Sequence, residues 1–312
     1  MDIYIKDILE YFEEKNVAFE IRGKFEDVYQ IASIFNPIEG GFYYLEKEFK
    51  STIFKNSLIL TNVDFQNENG NTIIFVKESP QIIFYELINY YFSEQSTGQI
   101  NKLSQIHAKA KLGYNVQIDP FCVIGDCEIG NGCIIKSNTV INDNTLIEAN
   151  TVIEPNCTIG ATGIAWVINK NGKKIHLPQL GGVIIRPDCK IGANSVIVRG
   201  SLNESTIIET GTVMAPGAKI GHGCYIGKNV HFANNVVLGG NTSIGEFSFI
   251  GSSAVFRSKV KLHPHTVVAA GAVVINDTST ENLTLVGVPA RETDSKKYLK
   301  GIPKNLNHTS NE

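Results

Sequence analysis

Among the seven histidines of the chain, His222 is set apart by its company, Ile220-Gly221-His222-Gly223. With Ile220 pointing inward and glycine marking a corner, the imidazole turns outward. An outward imidazole titrating near pH ~6.5 accepts a proton at neutral pH, the task of a general base. Without a groove beside it, the same residue is only a solvated surface histidine. His231, His263 and His265 make a zinc site only if they converge with His222. Their spacing does not resemble a three-histidine site with an open position, so no metal is expected. A second group is defined by small size: Gly251-Ser252, Ala269-Ala270-Gly271 and the VGVPAR string at 286–291. Small residues permit close backbone approach of a ligand, or merely tight turning.

What must position these residues is a repeat. Every sixth residue from Ile208 to Val274 is apolar: Ile208, Met214, Ile220, Ile226, Phe232, Leu238, Ile244, Ile250, Phe256, Leu262, Val268 and Val274. Helices and half-buried strands give periods near 3.6 and 2. A sustained period of six means a chain turning the same corner repeatedly, with one side chain per short flat side pointing to the axis. The expected element is a parallel β-helix of hexapeptides. The period is read from Leu112, Ile118 and Ile124, resumes after a slip at Ile129, and continues to Ile159. It breaks over 161–182, returns at Ile185, and slips again around SLNES (201–205). Three sides per coil stack residues eighteen apart at about 4.8 Å. The 161–182 break is expected to leave the coil as a surface loop carrying function.

Residues 1 to about 95 lack this period. MDIYIKDILEYFEEK has helical apolar spacing, SLILTNV (57–63) and NTIIFVK (71–77) read as strands, and Ser79-Pro80 opens a second helix. The expected organisation is mostly β: an α/β domain at 1–95, a polar linker at 93–103, a β-helix at 104–290 with its loop at 161–182, and a short helical or unstructured tail at 291–312. A formal net charge of -3 gives no electrostatic case for nucleic acid. No apolar run approaches the ~20 residues of a spanning helix, so no membrane insertion is expected. The N-terminus does not read as a signal peptide. The six cysteines all fall in the repeat, five of them at its small-residue positions. Reduced, packed thiols and a cytoplasmic location are expected.

The order of parts resembles a known family. The loop GATGIAWVINKNGKKIHLPQLGGVII (160–185), the segment KIGHGCYIG (219–227) and the run FYYLEKEF (42–49) look like the UDP-3-O-acylglucosamine N-acyltransferases of lipid A synthesis. The resemblance covers most of the chain. It implies left-handed coils, an exception to the usual crossover hand, and a homotrimer with sites between neighbouring solenoids. It also implies His222 as the catalytic residue, and Tyr43 and Phe49 as the rings that stack the nucleobase, with Glu46 choosing the base. Stacking of this kind is worth about 1–3 kcal/mol per base. Two departures point to a cousin. LVGVPARE (285–292) resembles the ending of CoA-dependent hexapeptide sugar acetyltransferases, and Ser258 stands where the lipid A enzymes place a second histidine.

The expected function is therefore an N-acyltransferase that moves an acyl group from acyl-CoA to the amine of a nucleotide-linked, dTDP-type amino sugar. Gly251, Ser252, Ala270 and Gly271 would admit the pantetheine arm, and Lys259 and Arg291 would meet the CoA phosphates. Two alternatives stand: the lipid A enzyme itself, fed by acyl carrier protein, and a non-catalytic β-helical scaffold or sugar-nucleotide-binding module.

Overall fold

The computed structural model describes residues 1–46, 53–64 and 69–293, so Phe49 and nearly all of the expected tail lie outside the described residues. The chain divides into two units, Met1–Glu94 and Gln95–Glu312.

In the first unit, β1 (Asp2–Tyr4), α1 (Ile5–Glu14), β2 (Phe19–Arg22), β3 (Val28–Ile31), β4 (Gly41–Leu45), β5 (Leu58–Thr61), β6 (Thr72–Val76) and α2 (Pro80–Phe92) follow in order. The strands form a mixed sheet ordered β1-β3-β4-β5-β6-β2. Ile8, Tyr11 and Phe12 of α1 and Ile83, Phe84 and Leu87 of α2 are buried in the same core as Phe42, Leu58 and Ile74. Ser79 caps α2, its hydroxyl accepting from the Ile82 amide at 3.4 Å. Four of these strands (β1 to β4) were not among the sequence expectations: β1 was read as part of the opening helix, and the short runs of β2, β3 and β4 were not read as strands.

The second unit is a left-handed parallel β-helix. Its strands, mostly two residues long, stack into three sheets of nine, eight and ten strands. The register is eighteen throughout the regular part: Ile220 pairs with Leu238, and Leu238 with Phe256. The inward column from Ile208 to Val274 is buried along its whole length. At the corners, Asn138, Asn144, Asn150 and Asn156 take φ between +56° and +61°, a region asparagine tolerates better than most side chains.

The buried small positions close the corners. The Thr212 hydroxyl donates to Gly227 O at 2.9 Å, and the Cys133 and Cys224 thiols donate to Glu148 O and Gly239 O at 3.2 and 3.3 Å. Threonine, serine and cysteine are interchangeable there because each offers one short donor to a corner carbonyl. All six cysteines are free and buried.

Two boundaries differ from expectation. The solenoid starts earlier than Leu112: Ile100 bridges Ile118, and Gln105–Ile106 pairs with Val123–Ile124. Ile100 and Ile106 continue the six-residue series backward, so most of the polar "linker" is already laid on the first coils. Ser96 and Thr97 bond Asn115 and Gln117. At the other end Arg291–Thr293 is a strand antiparallel to Thr284–Val286, not the start of a helical tail.

Candidate active site

His222 sits in the corner that follows the strand Lys219–Ile220. Ile220 is buried inward, and the glycines on either side shape the turn. Gly221 runs so close to the next coil that a Cβ there would stand 2.6 Å from Gly240 N. Gly223 has φ +63°, and its amide donates to Thr206 Oγ1 at 2.9 Å. The half-exposed imidazole lies over Gly240, one coil on, where a Cβ would stand 2.3 Å from Nε2.

The two later interruptions of the period return to this corner. The first leaves the coil as a hairpin, Ala165–Ile168 paired antiparallel with Lys174–Leu177. Its root comes back beside the second, where Leu180 N donates to Ser201 O at 2.9 Å and Gly181 N to Gly200 O at 3.1 Å. Side chains on Gly181 or Gly200 would collide with Glu204 O, at 2.1 and 1.8 Å, which is why glycine occupies both.

The second interruption is the tight turn 201–205. The Glu204 carboxylate accepts from Ser201 N at 2.7 Å and Leu202 N at 3.0 Å. Backbone donors, its own amide first and then those of Leu202 and Ser201, hold its carboxyl below the usual range, with His222 adding a smaller attraction. Ser201 Oγ stands 3.1 Å from His222 Nδ1, and Gln179 Nε2 donates to the same Oγ at 3.3 Å. On its outer flank the turn contributes Leu202, Asn203 and Ser205 to a groove of about 550 Å³ with Leu146 and Ile184 in its wall.

This geometry holds the imidazole by Nδ1. When Nδ1 carries the proton and donates to Ser201, Nε2 keeps a lone pair for an incoming acid. Ser201, Glu204 and Gln179 were not among the sequence candidates. Their signal was the pair of period breaks at 161–182 and 201–205, which marked excursions without naming partners.

The expected ligand-binding residues are distributed as follows. Lys259 is exposed on the same edge of the prism as His222, two coils along, between the strands Val255–Phe256 and Lys261–Leu262. Gly251, Ser252, Ala270 and Gly271 lie on a different edge, after Phe249–Ile250 and Val267–Val268. One chain therefore does not bring them to His222. There Gly251 packs against the next coil, a Cβ on it reaching Ala270 N at 2.5 Å, whereas Gly271 faces open space. Arg291 is exposed on the last antiparallel strand, opposite Val286.

In the first unit the expectation for Tyr43 is corrected. The ring is 1% exposed and tilted against Phe54 at 4.7 Å, and it lies over Gly41, where a Cβ would collide with it. Its hydroxyl accepts from Ile38 N at 2.7 Å and donates to Ile38 O at 3.0 Å. Both faces are covered, so it has none for a base. Glu46 is half-buried and accepts the hydroxyl proton of Ser79, the cap of α2. Phe49 lies outside the described residues. The other outward histidines have separate settings: His231 stacks on Phe249 and His263 Nδ1 lies 3.0 Å from Thr278 Oγ1. Among the described residues no three His, Cys, Asp or Glu side chains gather as a metal site.

Comparison with known proteins gives three findings. Residues 109–143 match the family model described as bacterial transferase hexapeptide (six repeats). A UDP-3-O-acylglucosamine N-acyltransferase of Xylella fastidiosa is 55% identical over 40 residues, 13% of this chain, and the chain spans only 12% of that relative's length. Among solved structures, a UDP-N-acetylglucosamine acyltransferase superposes with a TM-score of 0.56 at 24% identity, covering 62% of this chain and 73% of its own. The Campylobacter jejuni protein of the same name gives 0.54 at 21% identity, covering 62% and 74%. These likenesses establish the hexapeptide β-helix as the fold.

Proposed function

We propose that the chain is an N-acyltransferase that joins an acyl thioester to the amine of a nucleotide-linked amino sugar. The observation that carries this is the corner at His222, an outward imidazole held at Nδ1 by Ser201 Oγ 3.1 Å away, on a hexapeptide solenoid. The name borne by the Xylella relative supplies the reaction class.

In the proposed step the amine nitrogen attacks the thioester carbonyl carbon. The C–S bond breaks, the new amide nitrogen gives its surplus proton to His222 Nε2, and the imidazolium passes it to the departing thiolate. The products are an amide and a free thiol, and the base ends neutral. Most of the rate would come from holding amine and thioester together. A positioned base contributes about 10²–10⁴-fold.

The finer reading is an acyl-CoA donor and a dTDP-linked sugar. It rests on the LVGVPARE ending, which folds as a paired strand and turn over 284–293, and on Ser258 in the His222 edge. The second reading is the UDP-3-O-acylglucosamine enzyme fed by acyl carrier protein, favoured by the Xylella match. A thiol-release assay across acyl-CoAs, acyl carrier protein thioesters and amino-sugar nucleotides separates them. Turnover with acyl-CoA supports the first reading, and turnover with carrier protein alone supports the second. Nucleotide binding without thiol release from any donor makes the chain a binding module. His222→Asn should cut turnover by about 10²-fold or more with the fold intact, and near-normal turnover removes His222 from the mechanism.

A further inference from the structure

We propose that Gln179 and Ser201 are positioning residues that set the tautomer of His222 through one hydrogen-bond chain. The inference rests on His222 being the base of the proposed transfer.

Gln179 is 7% exposed and ends the hairpin excursion, where a glutamine has no part in the six-residue repeat. Its amide nitrogen faces Ser201 Oγ at 3.3 Å, and its Oε1 is buried with no hydrogen-bond donor. Ser201 Oγ in turn stands 3.1 Å from His222 Nδ1. Three separate segments thus converge: the hairpin root, the 201–205 turn, and the coil carrying His222. Stacking coils requires neither excursion, yet the turn delivers Ser201 to the ring nitrogen and the hairpin root delivers Gln179 to Ser201.

The direction of the chain decides what the imidazole can do. A hydroxyl has one proton and two lone pairs. If the Ser201 proton goes to Nδ1, the ring carries its own proton on Nε2 and cannot accept one there. The two ends of a carboxamide are isosteric. Turning the Gln179 amide brings the orphaned Oε1 onto the Ser201 hydroxyl, which then has an acceptor other than the imidazole. The turned end keeps its space because Gly163, whose Cβ would stand 3.1 Å from it, has no side chain. The chain then runs His222 Nδ1–H to Ser201 Oγ–H to Gln179 Oε1, and Nε2 is left as the proton acceptor.

The test is nitrogen NMR of the His222 ring in the full-length protein, above the pH of its titration, for wild type, Ser201→Ala and Gln179→Met. The expected result is an Nδ1–H tautomer in the wild type and a mixture with the Nε2–H form in both variants. In Ser201→Ala, kcat should fall about 10-fold or more with KM for the nucleotide sugar within about twofold. An Nε2–H tautomer in the wild type overturns the chain, as does an unchanged tautomer in Ser201→Ala. If Gln179→Met does not fold, the half-buried Ser201 still decides. Normal turnover of His222→Asn would instead remove the base reading, and the tautomer would remain measurable without it.

Discussion

The imidazole of His222 rests on Gly240, the residue eighteen places along the chain and one coil away, with no room between them for a methyl group. The absence of a side chain at Gly240 therefore fixes where Nε2 points. Gly240 does not have the positive φ that would favour glycine on its own account, so space at the imidazole is the requirement. Gly240→Ala should push the ring off its position while Ile220, Leu238 and Phe256 keep the coil packed. A misplacement of about 1 Å can cost 10²-fold in rate, and a fall of that order in kcat is expected with an unchanged melting transition. Wild-type kcat in the alanine variant would show that the ring's position does not matter.

Tyr43 carries the opposite expectation. Its hydroxyl makes two hydrogen bonds to Ile38 and its ring is enclosed by Phe54 and Gly41, so its contribution is to the stability of the first unit. Tyr43→Phe should cost about 1 kcal/mol of that stability, read by denaturant unfolding. Affinity for a nucleotide sugar should be unchanged. A several-fold loss of affinity without loss of stability would return Tyr43 to the binding site.

The six thiols give a pH prediction. Burial pushes Cys133, Cys157, Cys189 and Cys224 up to about 11 and Cys127 up to about 12, and it raises Cys122 as well. In the unfolded chain the same thiols ionise near ~8.5. Their folded pKa values are raised, so the stability they contribute is complete below that unfolded value. It is lost as pH rises from there through about 11, where only the unfolded state has shed its protons. Native protein at pH 8 should resist a thiol reagent, and all six groups should react after denaturation. Rapid labelling of the native chain would show that these positions open locally.

The sequence made the solenoid legible because each inward side chain must fill the same axial slot, and only position along the six-residue period decides which residue does so. Ile208 through Val274 could be counted. Ile100 and Ile106 obey the same rule but sit among Ser, Gln, Asn and Lys, whose composition masked them as linker. His222 was legible because glycines flank it. Gln179 and Ser201 were not, since Ser201 meets the ring and Gln179 meets Ser201 only after the excursions fold back, and no local pattern encodes those meetings. Tyr43 failed for a related reason: burial of both ring faces comes from Phe54 and Gly41 acting together, and aromatic character alone does not reveal it.

Glu204 ties the 201–205 turn to the corner it serves, and this predicts a change in local opening rather than in global stability. Its carboxylate accepts the Ser201 and Leu202 amides, and these bonds, after that of its own amide, hold it below the ordinary carboxyl range. Because its folded pKa is depressed, the turn's stabilisation is present above the unfolded carboxyl value of ~4.3. It is lost as pH falls through the folded value. The group lies close to solvent, so screening keeps the effect on the whole fold small. The readout is amide exchange at Ser201 and Leu202, compared at one fixed pH near 7 between wild type and Glu204→Gln. A neutral amide accepts these bonds more weakly than a carboxylate does, so exchange at those two amides should quicken several-fold while Ile220 and Ile226 in the coil keep their protection. The loosened turn carries Ser201, so the His222 ring should lose order in the same variant. Unchanged exchange at both amides would mean that the backbone bonds of Leu180 and Gly181 to Ser201 and Gly200 hold the turn without the carboxylate.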